Sequence, residues 1–359
     1  MTEAIVLVGG KGTRLRPLTV KTPKPMLPCA GVPFLSHQLA RLKEVGVDHV
    51  VMAMAFRPLA FVDHYGDGSS LGLAIDYVTE DVPLDTGGGI RNVLGWLNSG
   101  PEDPVLVLNS DILSEHSLKA QLALHDEAAA DVTLYLTRVE DARAYGCVPT
   151  DPDGWVSAFL EKMPTPISDQ VNAGCYVFRR RVIDEIPAGQ VVSVERQTFP
   201  DLLAAGRRVV GYLDDGYWLD VGTPAAFVKA SADLVLGRVR SPAIPHVEGE
   251  FLVLPGGVVE AGATLTAGTC VGRGAVVGAG AAVDGSVLFD GAVVERGAVI
   301  ASSAIGAGAT IGADTIVDCA VVGDGARVGA GNELRAGIRL WPGTVLADGS
   351  VRFSTDMPS

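Results

Sequence analysis

The sequence is poor in cysteine, in positive charge and in long apolar runs, and each shortage argues against a class of protein. Its cysteines lie far apart without paired spacing, which argues against a disulfide framework or a zinc site and favours buried free thiols. They are Cys29, Cys147, Cys175, Cys270 and Cys319. A formal net charge of -14 argues against a nucleic-acid-binding surface, because a phosphate backbone requires a positive footprint. No apolar run is long enough to span a bilayer.

What the chain does have is enough apolar sequence for a sizeable core. Of its 359 residues, 48% are hydrophobic and 19% are charged, which indicates a globular protein of two domains. The stretch from Met1 to Gly10 lacks the basic segment, apolar stretch and small-residue cleavage site of a secretory signal. We therefore expect a cytoplasmic protein that binds neither nucleic acid nor membrane.

From Ala4 to about Gly237, short apolar runs alternate with helical patterns. Residues 34–46 place apolar side chains at helical spacing and end in glycine, between the first two candidate strands. This βαβ unit predicts an α/β domain with a largely parallel sheet and a ligand site at the carboxyl ends of the strands. The candidate strands are Ala4–Val8, Val50–Ala55, Ile75–Val78, Val105–Leu108, Val132–Thr137, Trp155–Leu160 and Cys175–Phe178.

After about residue 250 the sequence becomes a short-period repeat, in which units such as Val276-Val277-Gly278-Ala279-Gly280-Ala281 keep an aliphatic residue in phase. One inward aliphatic side chain per unit and small residues at the corners are typical of hexapeptide repeats, three of which make one coil of a left-handed parallel β-helix. We predict a catalytic domain over residues 1–237, a linker over 238–250 and the β-helix over 251–359.

A hexapeptide β-helix also occurs in acyltransferases, where a histidine in the coil region usually acts as general base. No histidine follows His246 in this chain, so we interpret the β-helix as a scaffold for oligomerisation or domain packing and expect a homo-oligomer.

The segment from Leu7 to Thr19 places a glycine-rich turn directly after a strand, where backbone N–H groups can approach phosphate oxygens closely. Arg14 and Lys24 add positive charge in an otherwise acidic protein. The turn is not a Walker loop, because Gly-Lys-Ser/Thr does not close it, and it lacks the spacing of a dinucleotide fingerprint. Together with Pro23-Lys24-Pro25-Met26-Leu27-Pro28, however, it forms a specific pattern.

This pattern resembles the sugar nucleotidyltransferase family, and more closely the mannose-1-phosphate guanylyltransferases (GDP-mannose pyrophosphorylases), over nearly the whole chain. The resemblance implies a Rossmann-like domain with a mostly parallel mixed sheet, followed by the β-helix. It implies that Arg14 holds the β and γ phosphates and assists departure of pyrophosphate, and that Lys24 contacts phosphate oxygens. The turn residues that would surround the nucleotide are Leu7, Gly9, Gly10, Gly12 and Thr13.

The resemblance also implies a metal site. Asp111 follows a candidate strand, as the family's metal-binding aspartate does, and Asp220 in Trp218-Leu219-Asp220-Val221-Gly222 resembles the second ligand. Two carboxylates suit Mg²⁺, which prefers oxygen ligands and keeps several waters.

Three stretches resemble the sugar-phosphate side of the family's site, in family order. Gly146 would lie against the sugar, Glu161 would take sugar hydroxyls, Lys162 would take the 1-phosphate, and Asn172 belongs to the next hydroxyl-binding turn.

The base side of the resemblance favours guanine. Glu80 stands where the family reads the base, and a carboxylate accepts from guanine N1–H and N2–H₂. Thr86 and Gly87 follow in the same nucleotide-binding segment. Two departures from the family pattern are Asp85, in place of a usual glycine beside the base, and Ser110, in place of a usual glycine before the metal aspartate.

The implied reaction converts GTP and a sugar 1-phosphate, foremost mannose 1-phosphate, into GDP-sugar and diphosphate. Two alternatives remain at this point. One is a guanylyltransferase for a cyclitol 1-phosphate, such as valienol 1-phosphate, in natural-product biosynthesis. The other is a non-catalytic regulatory subunit that senses nucleotide sugar.

Overall fold

The computed structural model describes residues 2–55 and 59–353, which fold into two compact units. The first unit contains the chain up to Gly10 and Gln38–Trp218, and the second contains Lys11–His37 and the chain from Leu219 onward. Residues 1 and 56–58 of the predicted catalytic domain and residues 354–359 of the predicted β-helix lie outside the described residues.

The helices and the strands that precede the repeat are short, and single-turn helices connect several of them. The α-helices are α1 (Phe34–Glu44), α2 (Leu59–Tyr65), α3 (Asp85–Asn92), α4 (Leu118–Glu127), α5 (Arg180–Asp184), α6 (Phe199–Ala204) and α7 (Pro224–Val235). The 3-10 helices are Thr13–Leu15, Lys24–Met26, Ser69–Leu71, Leu94–Trp96 and Ala142–Ala144, and a π-helix spans Val194–Thr198. The strands are β1 (Thr2–Val8), β2 (Pro28–Cys29), β3 (Val32–Pro33), β4 (Val47–Met54), β5 (Ala74–Thr79), β6 (Pro104–Asn109), β7 (Ile112–Ser114), β8 (Val132–Arg138), β9 (Gly146–Cys147), β10 (Leu160–Glu161), β11 (Gln170–Arg179), β12 (Val209–Leu213) and β13 (Trp218–Asp220).

The first unit is built on a mixed sheet with β1 near its centre. The strand order is β10-β9-β11-β6-β1-β4-β5, and β8 pairs with both β11 and β12. The pairs β1/β4, β1/β6, β4/β5 and β8/β12 are parallel, whereas β11 runs antiparallel to β6, β8 and β9. The predicted βαβ unit and the mostly parallel mixed sheet are therefore confirmed.

The central strands have almost continuous apolar sequences because both faces of the sheet are covered. On one face of the sheet, Ile5, Val51 and Val107 of neighbouring strands are fully buried in one core cluster. On the opposite face, the paired residues Ala4 and Val50 are fully buried as well. Continuous apolar runs are typical of strands buried on both faces.

One predicted strand, Trp155–Leu160, is wrong as a continuous element. The structure has only isolated bridges from Trp155 and Val156 and then the two-residue strand β10. Apolar runs of this length can arise from core packing without continuous pairing, and Phe159 is indeed buried in the core cluster.

The repeat forms three parallel sheets, consistent with the predicted left-handed β-helix. Its strands are β14 (Phe251–Val253), β15 (Val258–Val259), β16 (Thr264–Thr266), β17 (Thr269–Val271), β18 (Val276–Val277), β19 (Ala282–Asp284), β20 (Val287–Leu288), β21 (Val293–Val294), β22 (Val299–Ala301), β23 (Ala304–Ile305), β24 (Thr310–Ile311), β25 (Ile316–Asp318), β26 (Val321–Val322), β27 (Arg327–Val328), β28 (Glu333–Leu334), β29 (Arg339–Leu340) and β30 (Val345–Leu346). Every third strand pairs, so the sheets are β14-β17-β20-β23-β26-β29, β15-β18-β21-β24-β27-β30 and β16-β19-β22-β25-β28.

The core of the β-helix consists of stacked aliphatic side chains, one per strand. Val277, Val294, Ile311 and Val328 follow one another in register along one sheet and are all buried. Each coil buries its apolar side chains against its neighbours, which is how a solenoid gains stability.

Helix α7 packs against the first coils within the second unit. Phe227 of α7 meets Phe289 edge to face, with ring centroids 6.1 Å apart. A Cβ on Gly268 would lie 2.6 Å from Cα of Ala232, so only glycine allows this coil to approach the helix so closely. Among the described residues, no helix is long and apolar enough to cross a membrane.

A buried ionic cluster lies at the start of β1. The Glu3 carboxylate, fully buried, accepts hydrogen bonds from the backbone N–H groups of Asn98 and Ser99 and lies 2.5 Å from Nδ1 of His49. Nε2 of His49 lies 2.9 Å from Oδ2 of Asp76, so only the protonated imidazole can donate to both carboxylates.

The pKa values of the cluster shift in opposite directions. Burial favours the neutral form of His49, but the hydrogen bonds to Glu3 and Asp76 outweigh it and raise the pKa of the imidazole. Burial likewise raises the pKa of Glu3, but hydrogen bonds from Asn98, His49 and Ser99 outweigh it and lower that pKa. The ionised pair is therefore the stable form in the folded protein.

We expect Glu3→Ala to lower the free energy of unfolding by about 3 kcal/mol, because it leaves buried donors and a buried imidazolium without their acceptor. Urea denaturation at neutral pH measures this loss. The matched control is Asp48→Ala on the same strand pair, which removes an exposed carboxylate 3.5 Å from Lys43 and should change stability by less than about 0.5 kcal/mol.

The difference between wild type and Glu3→Ala should also depend on pH. The contribution of His49 is lost as the pH rises through its raised folded-state pKa, and that of Glu3 is lost as the pH falls through its lowered one. The difference should therefore be largest between these two pKa values, and a pH-independent difference would contradict the ionised pair.

Candidate functional site

Strands β1, β4, β5 and β6 end at the same edge of the sheet, and predicted site residues lie in the segments that come next in the chain. The register pairs Val8 with Met54, Met54 with Thr79, and Leu7 with Asn109. Gly9, Glu80 and Ser110 each come next in the chain, so they emerge at the same carboxyl edge of the sheet. Ligands of open α/β sheets bind at this edge.

Gly9 and Gly10, which follow the buried last residue of β1, are exposed. A Cβ on Gly10 would meet nothing within 4 Å, and one on Gly9 would only touch Cβ of Ala55 at 3.9 Å. Packing within the chain thus does not require glycine at either position. The missing side chains instead leave the backbone N–H groups open to approach from solvent.

Glu80 is half-buried, and its two carboxylate oxygens have different surroundings. Oε2 accepts from the backbone N–H of Leu84 at 2.9 Å, which closes the loop after β5. Oε1 lies 2.9 Å from the position that a Cβ on Gly89 would take, so the carboxylate lies against the middle of α3. Burial raises the pKa of Glu80, the Leu84 N–H partly lowers it, and the nearby Asp85 carboxylate raises it further.

Asp85, the unexpected residue of the predicted base segment, occupies a backbone conformation that favours glycine. Its φ is 61°, in the left-handed region, and its Oδ1 accepts from the backbone N–H of Thr86 at 2.8 Å. Aspartate is one of the few residues that tolerate this region. Asp85 therefore has the left-handed backbone conformation that a glycine would favour at this position, and in addition it carries an exposed carboxylate.

Thr86 and Gly87, predicted to bind nucleotide, make their described contacts inside the protein. The Thr86 hydroxyl donates to Oε2 of Glu195 at 2.8 Å and accepts from the N–H of Val194 at 2.9 Å. The Gly87 N–H donates to the carbonyl of Val192 at 2.8 Å. These contacts fix the start of α3 against residues 192–195 and thereby hold the loop that carries Glu80.

The turn that carries Asp111 is held by a residue that the sequence did not single out. Nε2 of Gln38, buried in α1, donates to the carbonyl oxygens of Asn109 and Ile112 at 2.9 and 2.8 Å. Asp111 is half-buried between these two residues. The only sequence signal for Gln38 is a polar residue within a helix that is otherwise buried on this side.

On the predicted sugar side, the structure brings Gly146, Glu161 and Lys162 together. Glu161 pairs with Gly146 in the β9/β10 ladder, and a Cβ on Gly146 would lie 2.9 Å from Oε2 of Glu161. Nζ of Lys162 lies 3.3 Å from Oε1 of Glu161. The ammonium of Lys162 is more exposed than the carboxylate, so the pair presents a cation at its outer end.

Asn172 belongs to a distorted part of β11 that faces two aromatic residues. Its Nδ2 donates to the hydroxyl of Tyr176 at 2.9 Å, and its Oδ1 accepts from the N–H of Gly174 at 3.2 Å. Nε1 of Trp218 donates to the carbonyl of Ala173 at 3.0 Å. The ring of Trp218 meets that of Tyr145 edge to face, with centroids 5.3 Å apart. Sequence reasoning did not assign a role to Tyr176 or Trp218.

In the second unit, Gly12 places the predicted phosphate-binding residues. Its φ is 59°, and a Cβ there would lie 3.0 Å from Cγ2 of Thr19 and 3.1 Å from Cβ of Lys24. The Thr19 hydroxyl donates to the carbonyl of Gly12 at 2.7 Å. Thr13 and Arg14 follow in an exposed 3-10 helix. Gly12 is thus required both by its backbone conformation and by the close approach of Lys24.

Arg14 and Asp220 meet over a second glycine that the sequence reasoning did not assign. A Cβ on Gly222 would lie 2.6 Å from Nη2 of Arg14 and 3.0 Å from Oδ1 of Asp220. The guanidinium and the carboxylate therefore share the space above Gly222. The signal in the sequence was the position of this glycine two residues after the candidate metal ligand.

The donor set is compatible with a metal ion that keeps water and substrate oxygens as ligands. In the described part of the chain, no group of three or more His, Cys, Asp and Glu side chains could hold a metal ion by itself. Asp111 in the first unit and Asp220 in the second unit each carry a carboxylate, and carboxylate oxygens are the ligands that hard divalent cations prefer.

Comparison with known proteins gives two matching family models and several similar relatives. The model described as nucleotidyl transferase matches residues 3–235, and the GMPPB C-terminal domain model matches residues 247–348. The mannose-1-phosphate guanylyltransferase of Mycobacterium tuberculosis is 55% identical over 262 residues, which cover 73% of this chain and 72% of the relative. Mannose-1-phosphate guanylyltransferase 1 of Arabidopsis thaliana is 36% identical over 259 residues, covering 70% of this chain and 71% of the relative.

A similar solved structure is HddC from Yersinia pseudotuberculosis. It has 25% sequence identity and a TM-score of 0.55, and the match covers 64% of this chain and 98% of HddC. The same values hold for the structure of HddC complexed with GMP-PN.

These matches confirm the family that the sequence motifs predicted. The nucleotidyl transferase model spans more than half of the chain, and the mycobacterial relative adds high identity over most of its length. Enzymes of this family typically need a divalent metal ion. The chain belongs to the nucleotidyl transferase family.

Proposed function

We propose that this chain is a mannose-1-phosphate guanylyltransferase, which converts GTP and mannose 1-phosphate into GDP-mannose and diphosphate. The observation that carries the proposal is the 55% identity with the mycobacterial relative of that name over 73% of the chain. Neither a cyclitol 1-phosphate as substrate nor a non-catalytic sensing role is favoured by the comparisons.

The surroundings of Glu80 support guanine as the base. One oxygen already accepts from the Leu84 N–H, which fixes the orientation of the carboxylate, and the other lies beside Gly89. A fixed carboxylate can accept from guanine N1–H and N2–H₂, whereas it would face a carbonyl oxygen of uracil or thymine with repulsion.

The proposed reaction is an in-line displacement at the α-phosphorus of GTP. An oxygen of mannose 1-phosphate forms the new P–O bond, the bond to the β-phosphate oxygen breaks, and diphosphate leaves with the electron pair. No covalent enzyme intermediate is needed, because the nucleophile is already an ionised phosphate. The protein's contribution is positioning and stabilisation of charge.

Each group of residues has a separate task in this scheme. The open backbone of Gly9 and Gly10 approaches the phosphates, and Arg14 holds the β and γ phosphates as they leave. Lys24, held against Gly12, contacts phosphate oxygens during transfer. Lys162 binds the 1-phosphate, and its partner Glu161 accepts from sugar hydroxyls, together with the turn of Asn172.

We further propose that the divalent metal is Mg²⁺ and that Asp111 and Asp220 hold it. When bound, it would neutralise phosphate charge in the transition state. The two carboxylates orient by different means: Asp111 through the turn that Gln38 holds, and Asp220 beside the Arg14 guanidinium over Gly222.

The first test is nucleotide choice, measured as kcat/KM for GTP, UTP, dTTP and ATP with mannose 1-phosphate. Wild type should prefer GTP, and Glu80→Gln should lower GTP use and relax the preference toward UTP or dTTP by about tenfold or more. Selectivity of wild type should also weaken as the pH falls toward the raised pKa of Glu80, and this pH effect should vanish in Glu80→Gln.

Asp85→Gly is the matched variant for this test, because it removes the neighbouring carboxylate and suits the left-handed backbone. A wild-type preference for another nucleotide would overturn the proposed function. A change of preference in Asp85→Gly alone would transfer base reading from Glu80 to Asp85.

The second test concerns the metal. Asp111→Asn and Asp220→Asn should each raise the Mg²⁺ concentration for half-maximal activity by about tenfold or more, because each removes an anionic ligand. Activity is titrated against Mg²⁺, with the exposed Asp153→Asn as control. Wild-type titration curves for both variants would exclude these residues as ligands.

The third test uses the close approach of Arg14 to Gly222. Gly222→Ala should displace the guanidinium, the movable end of a flexible side chain, so stability should change little. Since small misplacements of positioning groups are costly, kcat/KM should fall between about tenfold and about a hundredfold. Arg14→Ala itself should cost about a hundredfold.

A double variant decides whether the two changes act through one group. In the Arg14→Ala background, Gly222→Ala should cause a much smaller further loss than in wild type, because only the approach of the new Cβ to Oδ1 of Asp220, at 3.0 Å, remains. Gly95→Ala is the control, since a Cβ there meets nothing within 4 Å. Fully additive losses would show that Gly222 acts independently of Arg14.

A further inference from the structure

The outward side chains of one β-helix sheet form a buried apolar row that ends in an arginine. The register aligns Cys270, Val287, Ala304, Val321 and Arg339 on successive coils. The first four are at most 4% exposed. Arg339 follows on the next coil, in β29, and is exposed. The position that carried small apolar side chains on four coils thus carries a cation on the fifth.

The guanidinium of Arg339 bonds to the backbone that carries Arg14. Its Nη1 donates to the carbonyl oxygens of Arg14 at 2.8 Å and of Arg16 at 3.0 Å. These residues belong to the segment 12–20, termed here the Arg14 loop. Both partners of the contact lie in the second unit.

Four other carbonyls of the Arg14 loop, those nearest to Arg14 and Arg16, accept hydrogen bonds from donors within the loop itself. The carbonyl of Gly12 accepts from Leu15 N–H and the Thr19 hydroxyl, and that of Thr13 accepts from Arg16 N–H. The carbonyl of Leu15 accepts from Leu18 N–H, and that of Pro17 from Val20 N–H. The carbonyls of Arg14 and Arg16 instead accept their hydrogen bonds from Arg339. Backbone acceptors in folded proteins are generally paired, and here the β-helix supplies the donor.

We propose that Arg339 is a positioning residue, which fixes the Arg14 loop so that the Arg14 side chain is held ready for the nucleotide phosphates. Arg14 is then restrained at its backbone and at the tip of its side chain. Its carbonyl oxygen accepts from Arg339, and its guanidinium packs against the backbone of Gly222. This inference rests on the proposed function, in which Arg14 holds the β and γ phosphates. It gives the β-helix an indirect part in nucleotide binding, through the position of Arg14.

The kinetic experiment compares Arg339→Ala and Arg339→Lys in the full chain with the control Arg327→Ala. Arg327 is exposed on β27 of a different sheet of the β-helix, so its loss removes the same charge from the same domain. Arg339→Ala should lower kcat/KM for GTP by roughly tenfold, as expected for loss of a charge-assisted hydrogen bond. The KM for mannose 1-phosphate should stay at the wild-type value.

Arg339→Lys should recover most of the loss, because an ammonium has three donors and can reach two adjacent carbonyls. In the Arg14→Ala background, Arg339→Ala should add no further loss in kcat/KM for GTP. Wild-type GTP kinetics in Arg339→Ala, or an equal loss in Arg327→Ala, would overturn the proposal.

Hydrogen exchange tests the same contact without any assay of activity. Amides of Leu15, Arg16, Leu18 and Val20 should exchange faster in Arg339→Ala than in wild type or Arg327→Ala, while those of β20 and β21 should be unchanged. Unchanged exchange in the Arg14 loop would overturn the proposal. If wild type lacked guanylyltransferase activity, the proposed function would fail, and the exchange result would still decide whether Arg339 holds the loop.

Discussion

The parallel pairing of β1 with β4 on one side and β6 on the other is the constraint on which the first unit depends. Because β1 hydrogen-bonds in register to both neighbours, the ends of these strands cannot slide relative to one another. The segments that leave β1, β5 and β6 are therefore presented at one edge. Only after this alignment can short local contacts, such as Leu84 N–H to Glu80 and Gln38 to the Asp111 turn, set the side chains accurately.

Glycine recurs wherever a charged group of the candidate site approaches the backbone. A Cβ would come within 3 Å of Glu80 at Gly89, of Glu161 at Gly146 and of Arg14 at Gly222. Gly12 adds a left-handed φ to the same role beside Lys24. In each case the missing methyl group leaves space for a charged side chain of the candidate site, so these glycines matter for the packing of side chains as well as for the backbone conformation.

The sequence predicted what depends on local pattern and on motif. The period of the repeat and the apolar runs of β1, β4, β5 and β6 are properties of neighbouring residues, and these predictions are confirmed. The antiparallel course of β11 and the interruption of Trp155–Leu160 could not be predicted from neighbouring residues. Pairing partners far along the chain decide both features. Gly222 and Arg339 were missed for the same reason: each meets Arg14 from more than 200 positions away. The roles given to the site residues stay predictions until the variants are measured, and the domain boundaries stay predictions as well.

Because Arg339 lies at the end of a regular row, its contact with the Arg14 loop depends on the number of coils that precede it. Adjacent coils are separated by the spacing of parallel strands, about 4.8 Å. Removing or adding one complete coil between α7 and β29 would preserve the pairing of the β-helix and its stacked core. It would nevertheless move the guanidinium by one strand spacing, far more than a hydrogen bond tolerates. A change of one coil in the length of this solenoid would therefore break the contact between Arg339 and the Arg14 loop, although the repeat itself could accept the change.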